Sequence, residues 1–388
     1  MIRTFIIASI SAAIAIGPAI ADNQLRIGFL STLSGGAGIF GKHQKHGFDL
    51  AVEQLGGKVG GLETKIIYGD DQRKPDVGLQ VVTRMIKKDK VHFIAGVVWS
   101  NVLMAIQKSV TRAEVFLVST NAGASPMAGK LCNPYFFSTS WQNDQAPEAM
   151  GKLLQEEGVK DVFMIAPNYQ AGKDVLIGFQ RLYKGNIKGR TLTKLGATDY
   201  QPEISKIRAA KPGAVFAFLP GPMGIAFMKQ WAAAGVKGSI PLYTSYVVDY
   251  LTLPALGEAA MGTYHTNYWR PDSDVPENKK FVAAYKKKYG YMPSHFSAQA
   301  YDAPFLFDSA IRAAGGDLSN KNRIRRELLK ANFKSIRGNF RYNTNHFPIQ
   351  SFYKRQVVRG SDGKPKIVSH GAVLTDHKDA YYSQCNMK

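Results

Sequence analysis

The segment LRIGFLSTLSGGAGIFGKHQKHGFDLAVEQL, residues 25–55, places an apolar run, a glycine-rich loop and an amphipathic pattern in succession. The nearly continuous apolar run is typical of a strand whose sheet is covered on both faces. In the amphipathic part, one helical face carries Phe48, Ala51 and Leu55. Because a strand followed by a helix is the repeating unit of parallel sheets, the segment predicts an α/β fold.

The glycine-rich loop contains a formal G-x-G-x-x-G from Gly36 to Gly41. A dinucleotide-binding loop starts at the end of its strand and has an acidic partner roughly 20 residues further on. Here the candidates at the end of the next strand, Asp70 and Asp71, lie 34 and 35 residues beyond Gly36. We therefore expect no nucleotide and no other cofactor. The loop instead predicts the rim of a solute cleft, with Phe40 as its projecting aromatic side chain.

The strand–helix alternation occurs in two rounds, at about 25–137 and 160–245. Two rounds predict two doubly wound parallel sheets with helices on both faces. Three helices are predicted after them, followed by paired strands around the turn GSDGKP. These helices are 277–289, 295–314 and 320–330. The strand candidates are Arg26–Ser31, Thr64–Gly69, Val91–Val97, Val115–Ser119, Asp161–Ala166, Ala214–Leu219 and Ile240–Thr244.

The first 21 residues have the layout of a bacterial secretory signal peptide. Arg3 precedes an apolar run at 5–17, and Ala19-Ile20-Ala21 forms an A-x-A cleavage site. This predicts export to the periplasm, with retention as an N-terminal anchor as the alternative. In an oxidising compartment, the two cysteines of the chain, Cys132 and Cys385, predict one disulfide.

The formal charge of +21 raises the question of a nucleic-acid partner. Lysine and arginine are spread in small groups, and none alternates with aromatic residues as a stacking surface would. Nucleic acid is therefore not expected as a partner.

Chemistry-bearing motifs are scarce. The sequence contains no G-x-S-x-G, H-E-x-x-H or P-loop. His43, His46 and Asp49 share helical spacing that suits a metal, but such spacing also arises by chance on exposed helices. We expect neither an enzyme nor a metal protein. A secreted esterase or amidase stays as an alternative that turnover of a bound ester or amide would reveal.

Loops at the carboxyl ends of the predicted strands are better candidates for binding. Ser100 is placed to N-cap the helix 101–112, whose N-terminus attracts a carboxylate. A purely structural cap is the alternative. STNAG (119–123) adds small polar donors. Several loops also carry aromatic residues, each of which suits either core or pocket. These aromatics are Phe40, Trp99, Tyr169, Tyr246 and Tyr250.

Three long segments resemble the leucine/isoleucine/valine-binding-protein family, the type I periplasmic solute-binding proteins of ABC importers. They are GFLSTLSGGAGIFGKHQKHGFDLAVEQLGGKVGG, GDDQRKPDVGLQVVTRMIKKDKVHFIAGVVWSNV and ISKIRAAKPGAVFAFLPGPMGIAFMKQWAAAGV. The resemblance covers essentially the whole chain after the signal peptide. It implies two α/β lobes joined by three crossings, which close on a small ligand. The implied lobes are 22–140 with 267–345, and 141–266 with 346–388, the tail being tied back by Cys385.

The resemblance also implies a monomer that delivers its ligand to an ABC permease in the inner membrane. It places Ser100, Asn121, Ala122 and Gly123 on the ligand carboxylate. From their positions in loops of the first lobe, Trp99 and Phe40 are predicted to line the same side. Tyr169 or Ala171 and the 243–249 loop, which holds Ser245, Tyr246 and Asp249, face the ligand from the other lobe.

The sequence departs from the family where amino-acid binders hold the ammonium group. The best-aligned position is Ser245, and the nearest carboxylate is Asp249. Gly123 and Ala171 replace larger residues and predict room for a flat ligand. The C-terminal region and the cysteine pair resemble the subgroup that takes up aromatic acids, which indicates a benzoate- or cinnamate-type ligand. The alternatives are a branched-chain amino acid or amide, or the same fold acting as a ligand sensor.

Overall fold

The computed structural model describes residues 24–387, so the predicted signal peptide lies outside the described residues. The first strands form a six-stranded sheet in the order β2-β3-β1-β4-β5-β6, and every pairing in it is parallel except β2 with β3. Its strands are β1 (Gln24–Ser31), β2 (Lys58–Val59), β3 (Leu62–Asp70), β4 (Phe93–Gly96), β5 (Phe116–Ser119) and β6 (Phe136–Ser138). The helices between them are α1 (Gly38–Gln54), α2 (Pro75–Lys87), α3 (Ser100–Arg112) and α4 (Ser125–Ala128).

The chain then crosses at 139–144 and builds a second sheet of the same design. Its parallel strands are β7 (Asp161–Pro167), β8 (Asn186–Thr193), β9 (Ala214–Ala217), β10 (Leu242–Ser245) and β11 (Tyr264–Asn267). The accompanying helices are α5 (Gln145–Glu156), α6 (Gln170–Leu182), α7 (Gln201–Ala210), α8 (Pro222–Ala233) and α9 (Leu253–Leu256), the last followed by a 3₁₀ turn at Gly257–Ala260.

A second crossing at 268–275 returns the chain to the first sheet. Three helices follow, α10 (Pro276–Tyr289), α11 (His295–Ala313) and α12 (Lys321–Lys330). Helix α11 packs along α1, and its apolar residues join the core beneath the first sheet. The third crossing, at 343–347, leads back to the second sheet.

The last strands are β12 (Arg341–Tyr342), β13 (Pro348–Arg359) and β14 (Pro365–His377). β13 runs antiparallel to β11 and extends the second sheet, and β14 pairs with β13 as the GSDGKP turn predicts. The remaining tail reaches the first lobe, where Cys385 forms a disulfide with Cys132. The predicted α/β class, with two doubly wound lobes and three crossings, is confirmed.

Both sheets are covered by helices, so their central strands are buried throughout; β4, β5 and β9 are examples. Among the described residues, no helix combines the length and apolar character that crossing a bilayer requires.

Candidate functional site

The carboxyl ends of the parallel strands in the two sheets face each other across a cleft. In open α/β sheets, ligands bind at this edge, where the strand order reverses. The first lobe contributes the loops after β1, β4 and β5, and the second lobe those after β7, β9 and β10. We call the enclosed space between them the cleft.

Two small adjoining cavities lie inside the cleft, with volumes of about 30 Å³ and 20 Å³. Six residues line both: Val98, Asn121, Trp141, Tyr169, Phe218 and Tyr246. The aromatic cavity is the larger one and adds Phe40, Trp99, Pro220, His295 and Phe296. The inner cavity is the smaller one and adds Ser100, Ala122, Asn143, Ala171 and Val175.

Aromatic rings from both lobes surround the aromatic cavity. Trp141 and Tyr246 stack with their centroids 4.2 Å apart. Phe40 packs edge-on against Trp99, and Trp99 in turn contacts Tyr169 of the other lobe at 5.9 Å. Such faces and edges match the quadrupole of a further aromatic ring, so the cavity suits a flat ligand.

Histidine His295 lies in this aromatic group because of how α11 begins. Ser294 caps the helix by accepting a hydrogen bond from the backbone N–H of Ser297. This places His295 on the first turn, with its ring near Tyr246, Trp141 and Phe296.

Asp249 holds the edge of the His295 ring that carries Nδ1. Imidazole Nδ1 contacts the Asp249 carboxylate, and the backbone N–H of His295 donates to the same oxygen at 3.1 Å. Burial acts to raise the pKa of Asp249, but the charge and hydrogen bonds of His295 outweigh it and lower that pKa to about 2. Asp249 is therefore an anion that is already paired, and it lines neither cavity.

Ser100 borders the inner cavity, but not as a helix cap. Helix α3 begins at Ser100 and Trp99 occupies the cap position, so the predicted N-cap role was wrong by one residue. The Ser100 hydroxyl accepts a hydrogen bond from Asn143 Nδ2 at 3.1 Å. Its own proton has no acceptor among the described residues and is free to donate into the cavity. The first backbone N–H groups of α3 have no partner within the helix, and they give its N-terminus a partial positive charge.

The structure brings seven of the ten predicted site residues to the walls of the two cavities: Phe40, Trp99, Ser100, Asn121, Ala122, Tyr169 and Tyr246. Asn121 is fixed there, since its Nδ2 donates to the Val98 carbonyl and its Oδ1 accepts from Gln299. Burial raises the pKa of Tyr169 and Tyr246, so both side chains stay neutral hydroxyls.

Gly123, Ser245 and Asp249 do not line either cavity. A Cβ on Gly123 would come within 2.0 Å of the Trp141 carbonyl oxygen, so its small size makes room for the first crossing instead of a ligand. The Ser245 hydroxyl pairs with Thr266 Oγ1 at 2.9 Å on the neighbouring strand.

Several residues that line the cavities were not predicted from the sequence. They include Trp141, Asn143, Phe218, His295 and Phe296. Trp141 and Asn143 lie in the first crossing, whose aromatic and turn residues break the strand–helix rhythm. His295 and Phe296 start a helix that belongs to the far end of the chain. Only the aromatic content of the first crossing was a usable signal.

A wider outer cavity of about 270 Å³ lies at the mouth of the cleft and shares Phe40, Trp99 and Pro220 with the aromatic cavity. The glycine-rich loop forms one wall with Gly35 and Gly36. The predicted role of this loop as a rim therefore matches its position.

No aspartate, glutamate, lysine or arginine is among the residues that line the aromatic or inner cavity. Within residues 24–387, no group of three or more His, Cys, Asp and Glu side chains is arranged to hold a metal ion.

The sequence pattern of the family described as periplasmic binding protein matches residues 24–364. A relative from Brucella melitensis biotype 1, named Leu/Ile/Val-binding protein homolog 6, is 29% identical over 350 residues. That match covers 87% of this chain and 89% of the relative.

Two similar solved structures contain bound ligands. One is a solute-binding protein of an ABC transporter from R. palustris in complex with benzoate. It is 29% identical, has a TM-score of 0.89, and the match covers 94% of this chain and 100% of that one. The other, from Rhodopseudomonas palustris BisB5, is in complex with 3,4-dihydroxy benzoic acid. It is 27% identical, has a TM-score of 0.85, and the match covers 92% and 99% of the two chains.

Proposed function

This chain belongs to the periplasmic binding protein family, and from that premise we propose that it binds an aromatic carboxylate in the cleft between its lobes. It is a solute-binding component of an ABC transporter and not an enzyme. The ligand we propose is of the benzoate or cinnamate type.

The observation that carries this proposal is the lining of the aromatic cavity, which is built from aromatic rings and contains no carboxylate. A flat apolar ring gains from burial among such side chains and from edge and face contacts with them. The two similar proteins that bind benzoate and 3,4-dihydroxybenzoic acid support the same class of ligand.

The carboxylate of the ligand would lie at the inner cavity. There Ser100 has an uncommitted hydroxyl proton, and the N-terminus of α3 favours negative charge. A hydroxyl donor together with a helix end is sufficient to hold one carboxylate.

An amino acid fits this lining less well than an aromatic acid. Its ammonium group would be buried without an anionic partner, which costs several kcal/mol. Asp249, the nearest loop carboxylate, already pairs with His295 and lines neither cavity. We therefore do not place a branched-chain amino acid in the cleft.

We further propose that the protein works in the periplasm as a monomer and delivers its ligand to an inner-membrane ABC permease. The signal-peptide pattern at 1–21 supports export, and the family supports the permease partner.

A thermal-shift screen tests the ligand class. Benzoate, cinnamate and their hydroxylated derivatives are compared with leucine, isoleucine and valine at equal concentration. We expect aromatic acids to raise the melting temperature, because ligands that bind only the folded state stabilise it. A shift with the branched-chain amino acids and none with any aromatic acid would refute the proposal.

Ser100→Ala tests the carboxylate position by calorimetric titration. Loss of one charge-assisted hydrogen bond predicts roughly tenfold or greater weakening, with the fold unchanged. Ser109→Ala is the matched control, since Ser109 is exposed on the same helix. Equal affinities for the two variants would remove Ser100 from the site.

A further inference from the structure

Two buried polar atoms at the aromatic cavity have no hydrogen-bond partner among the described residues. They are Nε2 of His295 and the hydroxyl of Tyr246. The exposed fraction is 0% for His295 and 3% for Tyr246, so bulk water does not reach either side chain freely. Buried polar groups are almost always paired, and an unpaired one costs about 1–3 kcal/mol. We therefore expect one group of a bound ligand to form hydrogen bonds with both atoms.

The role of His295 Nε2 follows from the contact on the opposite side of its ring. Nδ1 faces the ionised Asp249 carboxylate, which accepts hydrogen bonds but cannot donate them. The ring therefore carries its proton on Nδ1. Nε2 is then the ring nitrogen presented to the cavity, where it can form one hydrogen bond with a ligand. Asp249 acts here as a positioning residue.

Tyr246 supplies the complementary group. Its side chain is a neutral hydroxyl that can donate, and its ring lies 5.4 Å from the His295 ring, centroid to centroid. Both residues line the aromatic cavity. The cavity therefore offers two unpaired polar atoms in the same small volume, where the remaining walls are mostly carbon.

We propose that this cleft selects aromatic acids that carry a ring hydroxyl, with that hydroxyl hydrogen-bonded to both His295 Nε2 and the Tyr246 hydroxyl. The inference rests on the proposed function and narrows its substrate class. A phenolic hydroxyl both donates and accepts, so it satisfies the two groups at once. An unsubstituted ring leaves both unpaired, and a methoxy group has no proton to donate to either. Sites built to pair a ligand hydroxyl reject analogues that lack it by large factors.

Titration of four ligands tests the inference: benzoate, 3-hydroxybenzoate, 4-hydroxybenzoate and 4-methoxybenzoate. We expect wild-type protein to bind at least one hydroxybenzoate tenfold or more tightly than benzoate. The methoxy compound should bind less tightly than the preferred hydroxybenzoate.

Tyr246→Phe is the sharpest variant, since it keeps the ring and removes only an unpaired hydroxyl. It should fold normally. Its preference for the hydroxybenzoate should fall at least threefold. Tyr250→Phe is the matched control, because Tyr250 lies in the same loop but lines neither cavity. His295→Gln should lower the preference as well.

The outcomes separate the two proposals. Equal binding of benzoate and both hydroxybenzoates overturns the inference and leaves the proposed function intact. A hydroxyl preference that survives both Tyr246→Phe and His295→Gln also overturns it, because the hydroxyl is then recognised elsewhere. If no aromatic acid binds and leucine does, the proposed function fails and the inference fails with it.

Discussion

His346 illustrates how burial of a single residue couples this fold to pH. It lies in the third crossing, where its Nδ1 donates to the Phe136 carbonyl at 2.8 Å and its ring stacks on Phe137. Burial is the largest cause that lowers the pKa of His346, to about 4. The unfolded chain, with an ordinary histidine pKa of 6.5, binds this proton more readily than the folded chain does.

The stability contributed by neutral His346 is therefore present above pH 6.5 and lost as the pH falls to about 4. We expect the free energy of unfolding to decrease over this window. For His346→Asn, the decrease in the free energy of unfolding over the same window should be smaller than for wild type, by up to about 3 kcal/mol. Asparagine suits the left-handed backbone at this position, where φ is 64°. Urea titrations at pH 7 and pH 4.5 measure the difference, with exposed His370→Gln as control. Parallel losses in wild type and His346→Asn would contradict this assignment.

At the scale of elements, the contact between α1 and α11 depends on a glycine. A Cβ at Gly47 would lie 2.1 Å from the backbone oxygen of Ser297, which is far inside van der Waals contact. The two helices therefore approach backbone to backbone. This close approach joins the first helix of the chain to one nearly 250 residues later, and it sets the start of α11, where His295 lies.

Gly47→Ala should force α1 and α11 apart and destabilise the protein by about 1–3 kcal/mol, as overpacking does. Because the start of α11 carries His295, the affinity for the ligand should also fall. Chemical denaturation and titration of the same samples check both effects. Gly371→Ala has open space around its Cβ and is the control. Unchanged stability would show that the helices can separate without cost.

At the scale of the whole molecule, the tail connects the two lobes a further time. After β14 it crosses the second lobe, where the Tyr381 hydroxyl donates to Asp144 at 2.8 Å and Arg181 bonds both residues. It then ends on the first lobe at the Cys132–Cys385 disulfide, which spans 253 positions of sequence. The bridge thus supplements the three crossings covalently.

Replacing both cysteines by serine should lower the free energy of unfolding, by up to about 5 kcal/mol in the chain-entropy model. Ligand affinity should change little, since neither cysteine lines a cavity of the cleft. Equilibrium unfolding without reductant compares the double variant with wild type. Adding reductant should destabilise wild type and leave the variant unaffected. Identical unfolding curves in the absence of reductant would contradict the expectation.

Much of the fold was predictable because its signals are local. The apolar runs identified seven strands of the two sheets, and the two cysteines identified the disulfide. Short or exposed strands such as β6, β8 and β11 were missed, since their pattern is weak outside the sheet that pairs them. The lobe boundaries, the monomeric state and the signal peptide stay predictions.

The sequence by itself determined the α/β class, the doubly wound lobes and the loops that face the cleft, because strand and helix periodicity is a property of residues that are close together in the sequence. The tertiary structure decided what those loops present. It pairs Asp249 with His295, fills the space at Gly123 with the Trp141 carbonyl, and brings Trp141 and His295 into the aromatic cavity. Each of these contacts joins residues far apart in the chain. Local sequence patterns do not indicate such contacts, because the contacts depend on how the crossings bring separate elements together.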